Sequence, residues 1–148
     1  MRSIFNRNDV EQLTERIRSL RFDSKAKWGS FTGHQMICHL QDTLKYTLGQ
    51  MEAVKNVSAG PPMFLRKIIG LYIPIPRAKA ETAPQMLQTQ PENWETDLKS
   101  VTDLLALFPE STDKTDWPMH PFFGDLDGKT LARINFRHID HHLRQFGV

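Results

Sequence analysis

Two histidines near the end of the chain have a spacing suited to metal binding. His138 and His142 lie four residues apart. On an α-helix this step places two imidazoles on one face, about 6 Å apart along the axis, so that both can reach one divalent ion. Two ligands do not complete a site, so a third must come from elsewhere. The histidines outside the closing segment are His34, His39 and His120.

A helical wheel of the closing segment indicates which side chains face inward. With His138 as the reference, His141 and His142 fall within about 60° of it. The opposite arc holds the charged residues Arg133, Arg137, Asp140 and Arg144. We therefore expect the three histidines to face the interior. There they would lose hydration and need polar partners, which a metal would supply.

The same argument selects the third ligand from an earlier helical segment. His39 shares a helical face with Met36 and Asp42. His34 is about 140° away on the wheel and lies in the first turn. His39 is therefore the predicted ligand, and His34 is expected at the rim. Asp42 could orient an imidazole or act as a base, and hydrogen bonding at the pocket rim is an equal alternative.

Three further residues have less certain roles. His141 could support a ligand, act as a base in the pocket or simply pack, and with Asp42 it is a candidate catalytic residue. His120 is expected to anchor a loop over the metal end of the molecule more readily than to catalyse. Cys38 is expected to pack as a small apolar residue. As the single cysteine, it excludes an intrachain disulfide and a thiolate-only metal site.

Hydrophobic spacing predicts the helices that would position these residues. Four long helices are expected over Asn8 to Leu20, Thr32 to Met51, Pro91 to Phe108 and Asp127 to Phe146, with Asn8 and Thr32 as capping residues. A short apolar helix from Met63 to Tyr72 is expected between the second and the third, and residues 56–62 and 77–90 as connections. The prediction is an all-α four-helix bundle with one short extra helix, forming a single domain over residues 1–148.

Composition limits the classes of partner. The formal net charge is +2, and the charges are interspersed along the chain. This balance argues against nucleic acid as the main partner. The sequence has no apolar span of twenty residues and no signal-peptide pattern after Met1, so we expect no membrane partner and a cytoplasmic location.

Three stretches together carry a resemblance to a known family. They are 28–40, 120–124 and 138–146. They look like the DinB/YfiT-like metal-binding superfamily, in its uncharacterised bacterial branch with a His-Pro-x-Phe-Gly segment, and the resemblance covers nearly the whole chain. It implies a four-helix bundle in which a histidine of the second helix and a His-x-x-x-His pair of the last helix bind one divalent ion. Those positions fall on His39, His138 and His142.

The resemblance leaves the reaction open. Similar members include thiol-dependent S-transferases and isomerases and metal-dependent hydrolases. Three imidazoles holding Zn²⁺ or Ni²⁺ would leave coordination positions open, so the ion could acidify water for hydrolysis or activate a low-molecular-weight thiol for transfer. The substrate is expected to be a small molecule. The alternative is a non-catalytic metal-binding or ligand-binding protein, for example in a stress response.

One apolar segment predicts assembly. Its large apolar residues are Met63, Phe64, Leu65, Ile68, Ile69, Leu71, Tyr72, Ile73 and Ile75. A peripheral helix on a small bundle would bury only part of this surface. Members of the resembled superfamily often pair, so a homodimer with this segment at or near its interface is expected.

Overall fold

The computed structural model describes residues 1–52, 59–77 and 84–148, and the regular secondary structure within them is helical. Five α-helices form: α1 (Arg7–Arg18), α2 (Gly33–Leu48), α3 (Met63–Tyr72), α4 (Trp94–Ala106) and α5 (Gly128–Gln145). Short 3₁₀ turns cover Pro84–Leu87 and Phe108–Glu110. Within the described ranges no strand forms, and a single bridge joins His120 to Gly124. The predicted all-α class is confirmed.

Side-chain caps set the helix starts, and one predicted cap is wrong. Thr32 accepts a hydrogen bond from the backbone N–H of Gln35, and the Gln35 side chain accepts one from the N–H of Thr32. This is the predicted capping box. At α1 the capping residue is Asn6, whose side chain accepts from the N–H of Asp9. Asn8 lies inside the helix, because Asn6 already satisfies the first turn.

Two further boundaries differ most from the sequence prediction. α2 ends at Leu48, because Gly49 takes a left-handed conformation with φ 80° and closes the helix before Met51. α4 starts at Trp94, where the side chain of Asn93 caps it, so Pro91 precedes the helix. The predicted connections at 56–62 and 77–90 lie partly outside the described residues. In their described part, residues 84–87 form a 3₁₀ turn.

One hydrophobic core is shared by α1, α2, α4 and α5. Its fully buried side chains include Leu13, Ile17, Ile37, Leu40, Leu44, Val101, Leu105, Ile139 and Leu143. α2 packs on α4, and α1 packs on α4 and α5. Each such side chain contributes about 1.5–3 kcal/mol when buried. The helices therefore have a core that does not depend on an ion.

α3 packs on α5 and presents two different faces. The buried Arg66 donates from Nη1 to the carbonyl of Phe122 at 2.7 Å and from Nε to the carbonyl of Pro61 at 2.6 Å. The other face is apolar and open, with Phe64 and Tyr72 each 65% exposed. In the part of the chain that the structure describes, no helix combines the length and apolar character needed to cross a membrane.

Candidate metal centre

Three histidines from two helices direct their Nε2 atoms at one point. His39 comes from α2, and His138 and His142 come from α5. The Nε2 atom of His138 lies 3.1 Å from that of His39 and 3.1 Å from that of His142. The structure thus brings together the three residues that the sequence predicts as metal ligands, and we call them the histidine triad.

Hydrogen bonds on the far side of two rings fix their tautomers. His39 donates from Nδ1 to the backbone carbonyl of Met86 at 2.9 Å. His142 donates from Nδ1 to the side-chain oxygen of Gln145 at 2.8 Å. Both partners are oxygen acceptors, so each Nδ1 carries the proton of the neutral ring. The Nε2 atoms of His39 and His142 therefore carry free lone pairs.

The proton count within the triad favours a cation. Two of the three facing Nε2 atoms carry lone pairs, so the Nε2 proton of His138 is the only one that could serve both 3.1 Å contacts. A divalent ion would satisfy all three nitrogens. Two imidazole nitrogens bound tetrahedrally at 2.0–2.1 Å lie about 3.3 Å apart. The observed 3.1 Å separations are close to that value, so the residues fit one divalent metal ion.

Burial keeps the triad in the neutral form that binds metals. It lowers the pKa of His39, and it is also the main reason that the pKa of His138 lies well below its usual range. The pKa of His142 falls to about 3, first through burial and then through the neighbouring His39. All three rings are therefore uncharged at neutral pH. Among the described residues, no further histidine, cysteine or carboxylate joins this group.

Gln145 connects His142 to the segment before α2. While its oxygen accepts from His142, its Nε2 donates to the carbonyl of Trp28 at 2.6 Å. Gly29 follows with φ 76°, and a Cβ atom there would lie 2.5 Å from the Gln145 nitrogen. Only glycine leaves room for the Gln145 amide in this position. This contact could not be predicted from the sequence, because nothing in the local pattern links residue 29 to residue 145.

Asp42 lies one turn from His39, as predicted, and its carboxylate holds a chain segment. It accepts from the backbone N–H of Gln88 at 2.6 Å, and from the N–H and hydroxyl of Thr89 at 2.8 and 2.5 Å. This places the preceding 3₁₀ turn against α2, where Met86 accepts the His39 proton. Asp42 therefore positions His39 indirectly, through the backbone that orients its ring.

His141 lies beside the triad, in an aromatic and cationic environment. Its ring centroid is 5.4 Å from that of His142 and 5.8 Å from that of Trp28. The Arg77 guanidinium carbon lies over the Trp28 ring, 4.5 Å from its centroid. Burial first, and the charge of Arg77 second, lower the pKa of His141. This candidate catalytic residue is therefore a neutral imidazole at neutral pH.

His120 has the contacts of a loop anchor. Its Nδ1 accepts from the backbone N–H groups of Phe122 and Phe123 at 3.1 and 3.2 Å. The backbones of His120 and Gly124 exchange two hydrogen bonds of 3.0 and 2.9 Å. Burial lowers the pKa of His120 to about 4, so the ring stays neutral. The buried Tyr46 donates to the carbonyl of Met119 at 2.6 Å and ties the loop to α2.

A second buried polar group lies on the α4 side of α2. His34 is buried, not at the rim as predicted, because its Nε2 bonds Asp97 at 2.7 Å and Trp94 packs against its ring. Cys38 donates from Sγ to the same carboxylate at 4.0 Å. These three residues are also close enough to hold an ion. However, 2.7 Å is a hydrogen-bond distance, and burial raises the pKa of the Cys38 thiol to about 11. We therefore interpret the group as a hydrogen-bonded contact between α2 and α4.

No protein-family model, curated protein or solved structure matches this chain. What the molecule does must therefore be argued from the geometry of its own residues.

Proposed function

We propose that this chain is a metal-dependent enzyme with the four-helix-bundle architecture of the DinB/YfiT-like superfamily. His39, His138 and His142 would hold one Zn²⁺ or Ni²⁺. The observation that carries the proposal is the convergence of three Nε2 atoms while the opposite nitrogens of two rings are committed to Met86 and Gln145. A set of three protein ligands with positions left open is typical of catalytic ions, whereas structural ions are usually closed by four.

When bound, the ion would supply Lewis acidity, either to acidify water or to stabilise the thiolate of a small thiol. The chain itself orients the ligands, through the Met86 carbonyl and the Gln145 amide. His141 is a neutral imidazole beside His142 and is the candidate to hold or move a proton. Asp42 supports the reaction by holding the segment that orients His39.

The enzyme proposal is tested on two reactions with protein loaded with Zn²⁺ or Ni²⁺. One is hydrolysis of a nitrophenyl ester, and the other is transfer of a thiol to chlorodinitrobenzene. A rate above background that disappears on chelation and in His138→Ala would support it. Tight metal binding with no rate in either reaction, or in a wider set of esters, amides and thiol acceptors, would reject it.

The second candidate is a non-catalytic metal-binding or ligand-binding protein. The observation in its favour is Phe31, whose ring lies 5.4 Å from His39 and 5.9 Å from His142 and covers part of the triad. Replacement of Phe31 by alanine distinguishes the two. If the ion has an open coordination position and the protein is an enzyme, Phe31→Ala should change the catalytic rate. If the site is sealed and only binds metal, the substitution should change only the rate of metal exchange.

We also propose that the protein forms a homodimer through α3. Exposed apolar side chains dominate its outer face: Met63, Phe64, Leu65, Ile68 and Tyr72. A second copy offers the same patch and can cover it by two-fold symmetry. Light scattering should give a dimer mass for the native chain and a monomer mass for Phe64→Glu. A native monomer at micromolar concentration, or a dimer indifferent to Phe64→Glu and Ile68→Glu, would reject this interface.

A further inference from the structure

The charges around the triad indicate which kind of small molecule the site would bind. The three candidate ligands are imidazoles, which bring no negative charge to an ion, and the groups that orient them are a backbone carbonyl and a side-chain amide. Asp42 is the carboxylate whose charge acts on His39, but its oxygens are held by Gln88 and Thr89. A divalent ion here would keep most of its charge. Such a centre favours anionic ligands over neutral ones.

Arg77 adds a second positive charge on one side of the triad. Its guanidinium lies 4.5 Å above the Trp28 ring, and Trp28 contacts His141, the neighbour of His142. A guanidinium that lies over an aromatic ring can keep the N–H groups at its edge available for other partners. Those groups match the two oxygens of a carboxylate. Within the described ranges, Arg77 forms no ion pair, whereas Arg16 and Arg144 both pair with Asp140.

Trp28, which lies under Arg77, is hydrogen-bonded to the residue that orients His142. Trp28 accepts from Gln145 through its carbonyl, and Gln145 is buried and holds His142. The Arg77 guanidinium and the triad are therefore connected through two residues, Trp28 and Gln145.

We propose that Arg77 on its Trp28 platform binds a carboxylate of the substrate, so that the site selects small molecules with one metal-binding group and one carboxylate. The inference rests on the proposed function, and it narrows the substrate class. A low-molecular-weight thiol with a carboxylate has both groups. Neutral thiols and cationic amines would lack the contact with Arg77.

Matched pairs of thiols test the proposal on full-length protein loaded with Co²⁺. Mercaptopropionate is compared with mercaptopropanol, and mercaptohexanoate with mercaptohexanol, since each pair differs only in the carboxylate. Affinity is read from the charge-transfer band of a thiolate bound to cobalt. We expect one carboxylate to be preferred by about five- to tenfold over its alcohol, the range of a partly exposed charged hydrogen bond.

Arg77→Met should remove this preference while the alcohol binds as before. Arg18→Met takes the same charge from the exposed end of α1 and should leave the preference intact. Two results would overturn this inference but not the proposed function. In one, the protein loads cobalt and binds none of the thiols; in the other, it binds both members of each pair equally. An unchanged preference in Arg77→Met would also overturn this inference alone. Failure to load cobalt would overturn the proposed function, and this inference with it.

Discussion

His142 is oriented by Gln145, which in turn is held by the carbonyl of Trp28. The two hydrogen bonds, 2.8 and 2.6 Å long, use both ends of one side-chain amide. The arrangement fixes the tautomer of His142 and directs its Nε2 lone pair towards the other two histidines of the triad. A residue that is not itself a candidate ligand therefore orients one of the three ligands.

Replacing Gly29 with alanine should weaken metal binding without touching a ligand. The new Cβ would lie 2.5 Å from the Gln145 nitrogen and displace the amide. We expect a loss of about tenfold in metal affinity, the lower end of the effect of removing a ligand's orienting partner. Competition with a chromophoric chelator measures it.

Gly49→Ala is the matched control for Gly29→Ala. Both glycines have a left-handed φ, 80° and 76°, so alanine should cost about 1–2 kcal/mol of stability at either. A Cβ at Gly49 meets nothing within 4 Å. Equal metal affinities in the two variants would show that Gln145 does not control the site.

Replacing His39 with alanine should remove metal, whereas replacing His34 should not. His39 supplies a triad nitrogen, while His34 pairs with the buried Asp97. His34→Ala should instead destabilise the fold by about 1–3 kcal/mol, because it leaves a buried carboxylate without its partner. Metal titration and urea unfolding of both variants separate the effects. Comparable metal loss in the two would refute the assignment.

Asp42→Asn should lower metal affinity and stability together. The amide keeps one oxygen for the N–H groups of Gln88 and Thr89, but the charge that strengthens those bonds is gone. The backbone at Met86 would then hold His39 less firmly. Chelator competition should show a weaker site. A variant that retains full metal affinity but loses all turnover would instead make Asp42 the catalytic base.

The pH dependence of stability should be smaller in His120→Asn. The folded pKa of His120 is about 4, below the usual 6.5, so the unfolded chain takes up a proton that the folded chain refuses. Stability is therefore lost as the pH falls from 6.5 towards 4. Asparagine can accept from the N–H groups of Phe122 and Phe123 through its side-chain oxygen, but it does not titrate.

The free energy of unfolding of metal-free protein, measured by urea at each pH, tests this expectation. Between pH 6.5 and 4, the slope of the free energy of unfolding against pH should be shallower in His120→Asn than in the native chain, by up to about 1.4 kcal/mol per pH unit. The triad histidines titrate in both proteins, so the difference reports the His120 imidazole together with its charge coupling to His138. Parallel pH profiles would show that His120 is protonated as easily in the folded chain as in the unfolded one.

The last helix could be predicted well from the sequence, because only one side of α5 faces solvent. Its charged arc lies on the partly exposed side, and Ile139, His142 and Leu143 are buried. The four-residue step then placed His138 beside His142. This is why a single helical wheel identified two of the three triad members.

The environment of α2 could not be predicted from a wheel, because α2 is buried nearly all round. Both His34 and His39 are inside, although they lie on different faces. One faces Asp97 of α4, and the other faces α5 and the turn at Met86. Which partner a buried face meets depends on contacts between residues far apart in the chain. The links of Gln145 to Trp28 and of Asp42 to Thr89 were missed for the same reason.

The metal content of the purified chain tests the central claim most directly. Elemental analysis of protein prepared without chelator or affinity tag should find about one divalent transition metal per chain, because three neutral imidazoles converge on one point. His138→Ala prepared in the same way should contain far less. A folded native protein that is free of metal, and that takes up neither Zn²⁺ nor Ni²⁺ on titration, would contradict the account.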